Sequence, residues 1–131
     1  CFDLDGTLVS SIEAHEKSYM TAFKENNLKL PTKKKLLSLF GLGAEEIITK
    51  LYPKISKRKL EKVVQDLLEA HEKSKNLIKQ LPYVVEALVE LKPHFKIGIV
   101  SNNLDRGLLN RRQFTRLKEM TKSVFINEEQ Y

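Results

Sequence analysis

Phe2-Asp3-Leu4-Asp5-Gly6-Thr7-Leu8 is the stretch whose reading decides the fold. Apolar Phe2 and Leu4 alternate with aspartates, so residues 1 to 5 read as the end of a strand, and Gly6 with Thr7 supplies the sharp turn that throws the chain out of a sheet. Two carboxylates one residue apart at a strand end can point into one cavity if the backbone turns there, and glycine makes that turn inexpensive. Crowded negative charge raises one pKa or recruits a divalent cation, and hard oxygen ligands of this kind suit Mg²⁺. With a cation present, one carboxylate stays ionised and can attack phosphorus while the other shuttles a proton. The plainer alternative is a turn whose aspartates merely accept backbone hydrogen bonds. An apolar strand running into Asp-x-Asp-Gly-Thr-Leu is, however, a far more restrictive pattern than an Asp-Gly turn.

Outward from this stretch the chain reads as helical. Ser11 can cap a helix carrying Ile12, Tyr19, Met20 and Phe23 at helical spacings, and the pair Asn26-Asn27 ends it. Thr32 can cap a second helix that stops near Gly41, and Ala44 to Leu51 forms a short third, closed by Pro53. Ser56 then caps the most amphipathic segment, with Leu60, Val63, Val64, Leu67, Leu68 and His71 on one stripe, running out near Leu81. Four helices with narrow apolar stripes predict a small bundle. Pro82 starts another helix through Val85, Leu88 and Leu91, and Pro93 terminates it.

Phe95 to Val100 follows, and its Ile-Gly-Ile-Val run is apolar on both faces, as in a parallel strand buried between helix layers. Ser101, Asn102 and Asn103 sit just past its carboxyl end. A further helix is expected from about Leu104, with Leu108 and Leu109 on its inner side, and a short strand at Val124 to Ile126. This order predicts an α/β fold, a Rossmann-like parallel sheet core with a four-helix insert after the first strand. The predicted boundaries are 1–9 and 82–131 for the partial core and 10–81 for the insert. In such sheets ligands bind at the carboxyl ends of the strands, where Asp3 to Thr7 and Ser101 to Asn103 both lie.

Composition bounds the alternatives. The chain has 131 residues, 41% hydrophobic and 31% charged, a globular balance without repeats or low-complexity tracts. Its net charge of +6 invites a polyanion partner. The lysines, however, are spread along helices beside glutamates, and the denser runs Lys33–Lys35 and Lys54–Lys62 carry no interleaved aromatics to stack on bases. They read as solvated helix faces, so no nucleic-acid partner is expected. A single cysteine closes no internal disulfide and gives no sign of a structural zinc site. The chain begins on Cys1 without an initiator Met, a basic leader or an apolar run long enough to cross a bilayer. A cytoplasmic protein with no membrane partner, lacking its first residues here, is the expectation.

The stretch Phe2–Leu8 resembles the first signature motif of the haloacid dehalogenase superfamily, and Ile97-Gly-Ile-Val-Ser-Asn-Asn103 resembles its second. The insert between them is similar to the small helical cap of the family's first subfamily, the phosphoglycolate phosphatase and beta-phosphoglucomutase group. The resemblance implies that Asp3 is the nucleophile that becomes an aspartyl-phosphate and also binds Mg²⁺. It implies that Asp5 protonates the leaving oxygen and then activates water, while its backbone carbonyl ligates the metal. Ser101 would hydrogen-bond a phosphoryl oxygen, joined by Thr7 and by N–H groups around Leu4, Asp5 and Asn102. Such chemistry is electrostatically sensible, because phosphoryl transfer needs positioning and charge neutralisation above all. Asp5 separates the chain from the dehalogenases, which lack the second aspartate.

Ser10-Ser-Ile-Glu-Ala-His15 is similar to the family's usual entry to the cap, with Ser10 where Asp is common. That puts His15 near the hinge and the reaction centre, against an equally weighted packing role. Phe40-Gly-Leu-Gly-Ala44 resembles the turn between cap helices that selects substrate, and Gly41 is a candidate contact there. The opposing reading is that its glycines only end one helix and start the next. The turn carries no cation to hold a second phosphate, which favours a hydrolase over a mutase. His71, in an apolar stripe, and His94, beside Pro93, read as structural.

The family's third and fourth motifs, a Lys and a further acidic group, are not found. Lys118 and Lys122 read as solvent-facing, and Glu128 and Glu129 are not assigned as ligands. Three strands make a thin sheet, so a truncated chain is expected, inactive by itself. The leading function is a Mg²⁺-dependent phosphatase acting on a small phosphorylated metabolite, its oligomeric state open. The alternatives are a phosphomutase and a non-catalytic interaction or nucleic-acid-binding protein on a degenerate scaffold.

Overall fold

Gly6 adopts φ of 76° and Asn27 φ of 53°, and these two left-handed residues end the segments that bracket the first helix. The computed structural model describes residues 1–101 and 123–126. The helix expected from Leu104, together with Lys118, Lys122, Glu128 and Glu129, lies outside the described residues. The chain divides into two compact units, Ile12–Ser74 and a second made of Cys1–Ser11 with Lys75–Tyr131.

The Ile12–Ser74 unit contains helices α1 (Ile12–Glu25), α2 (Lys33–Leu37), α3 (Ala44–Leu51) and α4 (Lys57–Ser74). Their core joins Tyr19, Ala22, Phe23, Leu36, Ile47, Ile48, Val63 and Leu67. Fully burying side chains such as Phe23, Leu36 and Ile48 stabilises the unit by about 1.5–3 kcal/mol each. Two expected members of the apolar stripes stay outside it, since Ile12 is 50% exposed and Leu68 51% exposed. Small residues take the inner positions instead. Ala14, Ser18 and Ala22 are buried on α1, and Ala70 is buried on α4.

The helix ends follow local chemistry. After α1, the Leu28 N–H donates to the Phe23 carbonyl at 2.9 Å and the Asn27 N–H to Lys24 at 3.1 Å, a Schellman motif with Asn27 in the left-handed position. Leu28 packs on the core beside Phe23, as that motif favours. Thr32 caps α2, its hydroxyl accepting the Lys35 N–H at 3.3 Å. Ser56 does the same for α4 by accepting from Lys59 at 3.4 Å. The helix that the sequence carries to about Leu81 ends at Ser74, where Lys75–Leu77 tightens into a 3-10 turn. Ile78 is buried after it, its N–H bonded to the Lys75 carbonyl at 3.1 Å.

In the other unit, β1 (Val9–Ser10) pairs antiparallel with β2 (Lys79–Gln80), Val9 opposite Gln80. Helix α5 (Val84–Leu91) follows, and β3 (Gly98–Ser101) pairs parallel with β4 (Ser123–Ile126). The expected strand at residues 1 to 5 is reduced to isolated parallel bridges, Phe2 with Ile99 and Asp5 with Val9, the Phe2 N–H donating to the Gly98 carbonyl at 2.9 Å. β3 starts later than its apolar run suggested. Phe95 is 65% exposed, and its N–H closes the end of α5 on the Leu91 carbonyl at 2.9 Å. Among the described residues Leu4, Leu8, Val9, Ile78, Val84, Leu88, Ile97 and Ile99 are buried apolar residues of this unit.

Candidate active site

The Asp3–Thr7 segment is held by its apolar flanks. Leu4 is buried, and its carbonyl accepts the N–H groups of Leu8 and Val9, both at 3.0 Å, while the Gly6 N–H donates to the Val9 carbonyl at 2.8 Å. This knot of three backbone bonds folds the chain back on itself between Leu4 and Val9, and Gly6 takes the left-handed φ that the reversal requires. Leu4 turns inward, and the residues on either side of it keep more of their surface in solvent. Asp3 is exposed and Asp5 half-buried. Thr7 is exposed on the same turn.

Each carboxylate has a defined partner. Asp3 Oδ1 accepts the Leu4 N–H at 2.7 Å. The expectation that this N–H faces a phosphoryl oxygen therefore meets a competitor, because Asp3's own carboxylate is the nearest acceptor. Asp5 Oδ1 accepts a hydrogen bond from the Ser11 hydroxyl. Ser11, expected to cap α1, is itself buried and gives its proton to Asp5. It is the residue that sequence reasoning missed, since a serine before a helix has an ordinary capping explanation and nothing local distinguishes the two uses.

The register of the parallel pairing extends the site. Phe2 lies opposite Ile99, so Asp3 to Asp5 run past β3 in the direction of its carboxyl end, where Ser101 is the last residue. Asn102 lies outside the described residues. The other two candidates belong to the helical unit. His15 is stacked on His71 with ring centroids 4.6 Å apart, and meets Phe40 edge-on at 5.8 Å. Gly41, at φ of 103°, forms the turn after Phe40, which is bridged to Leu42. His15 and the Gly41 turn are thus neighbours through Phe40. The structural reading of His71 agrees with its burial and with Ser18 Oγ, 3.4 Å from its Nδ1.

Among the described residues no three His, Cys, Asp or Glu side chains converge as a metal group. The Asp3 carboxylate and the Asp5 carbonyl are hard oxygen donors two residues apart, and that set fits Mg²⁺, which binds through one or two carboxylates and fills its octahedron with water and phosphate oxygens. Among the described residues no helix is long and apolar enough to cross a membrane.

The model of the haloacid dehalogenase-like hydrolase family matches residues 1–130. The chain belongs to that family. Its fold is the family's Rossmann-like α/β fold, and solved structures agree. A haloacid dehalogenase-like hydrolase from Streptococcus pneumoniae superposes with a TM-score of 0.83 at 21% identity, over 98% of this chain and 60% of its own. A predicted phosphoglycolate phosphatase from Haemophilus somnus gives 0.83 at 19% identity, over 97% of this chain and 61% of its own. A hydrolase from Pseudomonas syringae gives 0.72 at 20% identity, over 96% and 58%. The chain therefore spans about 60% of the length of the solved relatives it matches. No curated protein sequence matches it.

Proposed function

We propose that the full-length protein is a Mg²⁺-dependent phosphatase that hydrolyses a small phosphomonoester through an aspartyl-phosphate on Asp3. The observation that carries the reading is the Asp3–Thr7 turn, in which an exposed and a half-buried aspartate flank the buried Leu4 beside β3, the kind of strand end where α/β sheets bind ligands. Family membership and likeness to phosphatase structures support it.

In this reading an Asp3 carboxylate oxygen attacks phosphorus as the bond to the leaving oxygen breaks, and Asp5 delivers a proton to that oxygen. Asp5, now ionised, takes a proton from the water that attacks the aspartyl-phosphate, which releases inorganic phosphate and regenerates both carboxyl groups. Ser101, Thr7 and the N–H groups of Leu4 and Asn102 hold the phosphoryl oxygens, and phosphate entry exchanges the Leu4–Asp3 bond for one to substrate. Mg²⁺, held by the Asp3 carboxylate and the Asp5 carbonyl, would neutralise phosphate charge. The helical unit acts as the cap, with His15 and the Gly41 turn as its substrate-side residues. That turn has no cation for a second phosphate, which favours hydrolysis over mutase chemistry.

The test is phosphate release by the full-length protein from a panel of phosphometabolites, with and without Mg²⁺, beside an Asp3→Asn variant. Wild-type turnover that Asp3→Asn abolishes supports the reading. Activity retained in the variant removes Asp3 from the nucleophile's role.

A further inference from the structure

We infer that one end of the helical unit, built from residues 29–35 and 54–62, docks the protein on an anionic phospholipid surface. The inference is independent of the phosphatase reading. The two segments hold nine of the chain's 23 Lys and Arg residues and one carboxylate, Glu61, so they carry more than the whole net charge of +6. Read along the chain they are separate solvated faces, and the fold sets them at the same end of the unit. Ser18 of α1 meets His71 of α4 while Asn26, just past α1, meets Asp66, so the two helices run antiparallel and α1 ends toward the start of α4. The Tyr52 hydroxyl, just after α3, donates to the Lys29 carbonyl at 2.7 Å and joins the loop before α4 to the loop before α2.

Stability does not account for these charges. The first turns of α2 and α4 carry Lys33 to Lys35 and Lys57 to Lys59 with no acid among them, although the positive end of a helix dipole disfavours cations there. Lys33 is paired with Glu16 and Lys62 with Asp66. Lys29, Lys34, Lys35, Lys54, Lys57 and Arg58 are exposed and make no ion pair among the described residues. Leu30, beside Lys29, is 48% exposed. A polybasic surface is drawn to acidic headgroups, and an apolar side chain within it gains further by entering the boundary between headgroups and acyl chains. A nucleic-acid groove offers Leu30 no such gain, and neither segment has an aromatic to stack on bases.

The experiment is sedimentation of the full-length protein with vesicles of phosphatidylcholine alone and of phosphatidylcholine containing about 30% phosphatidylserine, in about 0.1 M salt. Binding is expected to the mixed vesicles only, and is expected to be lost in about 0.5 M salt. Lys54→Gln and Arg58→Gln should each weaken it about fivefold, and together about 25-fold. Leu30→Ser should weaken it about threefold, because part of an exposed apolar side chain no longer leaves water. All three positions are exposed, so helical circular dichroism should be unchanged in each variant. Lys73→Gln, at the other end of α4, makes the same change in net charge as Lys54→Gln and should bind like wild type. The inference is overturned if the mixed vesicles do not bind the protein or if neutral vesicles bind it equally well. A loss in Lys73→Gln that matches Lys54→Gln overturns it too, by showing that net charge and not this surface is read. Preferential binding of duplex DNA in competition with the mixed vesicles would assign the patch to nucleic acid instead.

Discussion

His71 of α4 lies face to face with His15 of α1, the ring centroids 4.6 Å apart and the planes 15° from parallel. The pair sits on the interface between helices α1 and α4, and Ser18, one turn along α1 from Ala14, reaches His71 from the same helix face. His71 is buried whereas His15 is half-buried, so truncating them should have unequal costs. His71→Ala is expected to destabilise the full-length protein by about 2–3 kcal/mol through the cavity it leaves. His15→Ala should cost about 1 kcal/mol, and the double variant should show a coupling of about 0.5–1.5 kcal/mol. Denaturant titrations of the four proteins in the cycle measure this, and strict additivity would show that the stacking contributes nothing.

Asp66 makes the second α1–α4 tie. Its Oδ2 accepts from Lys62 Nζ at 2.7 Å and from Asn26 Nδ2 at 2.6 Å. The Lys62 bond, and then the Asn26 bond, hold the Asp66 carboxyl below its ordinary pKa, against some desolvation that opposes them. A folded pKa below the unfolded value means stability that is fully present at neutral pH and is lost as pH falls below about 4 through the folded value. Asp66→Asn should therefore be less stable than wild type by about 1 kcal/mol at neutral pH, a modest figure because Lys62 is largely exposed. The gap should close on acidification. Thermal unfolding at a series of pH values decides it, and a gap independent of pH would contradict the assignment.

Tyr83 is a third test, because it precedes α5 at φ of 63° with its side chain 80% exposed. A left-handed conformation strains an ordinary L-residue, while Asn visits that region more readily. Little of the residue is buried to offset the strain. Tyr83→Asn is expected to raise stability by about 0.5–1 kcal/mol, read as a rise in Tm. A lowered Tm would mean that the tyrosine ring contributes a contact worth more than the strain.

What could be read in the sequence, and what could not, follows from how local the cause is. The turn at Gly6, the stop at Asn26-Asn27 and the caps at Thr32 and Ser56 each depend on a few adjacent residues, and each is present in the structure. The β1–β2 ribbon was invisible because Val9-Ser10 and Lys79-Gln80 are two residues each, too short for any period to show, and they meet only through tertiary folding. Ile12 and Leu68 were misplaced for a related reason. Periodicity finds the apolar side of a helix but not how wide a strip the neighbouring helix covers, and Ala14 and Ala70 allow the close approach that leaves bulkier residues outside. In the candidate site, the Asp3 to Thr7 pattern named its own residues, whereas the Ser11–Asp5 bond joins two side chains whose sequence roles looked complete without each other.

Gly6 links stability to catalysis most directly. A Cβ added there would meet nothing within 4 Å, so a substitution creates no clash, yet the residue sits at φ of +76°. The whole cost of Gly6→Ala is thus backbone conformation, about 1–2 kcal/mol if the turn is kept. The protein can also relieve the strain by rotating the turn toward negative φ. That would break the Gly6–Val9 bond and move Asp5, one residue away, relative to Asp3. On the proposed mechanism a displacement of this kind costs about a hundredfold in kcat, far more than the stability loss explains. Gly6→Ala in the full-length protein should accordingly remain folded by circular dichroism, with a slightly lower Tm, while turnover of p-nitrophenyl phosphate falls about a hundredfold. If turnover survives at near the wild-type rate, the positions of the two aspartates do not depend on this turn.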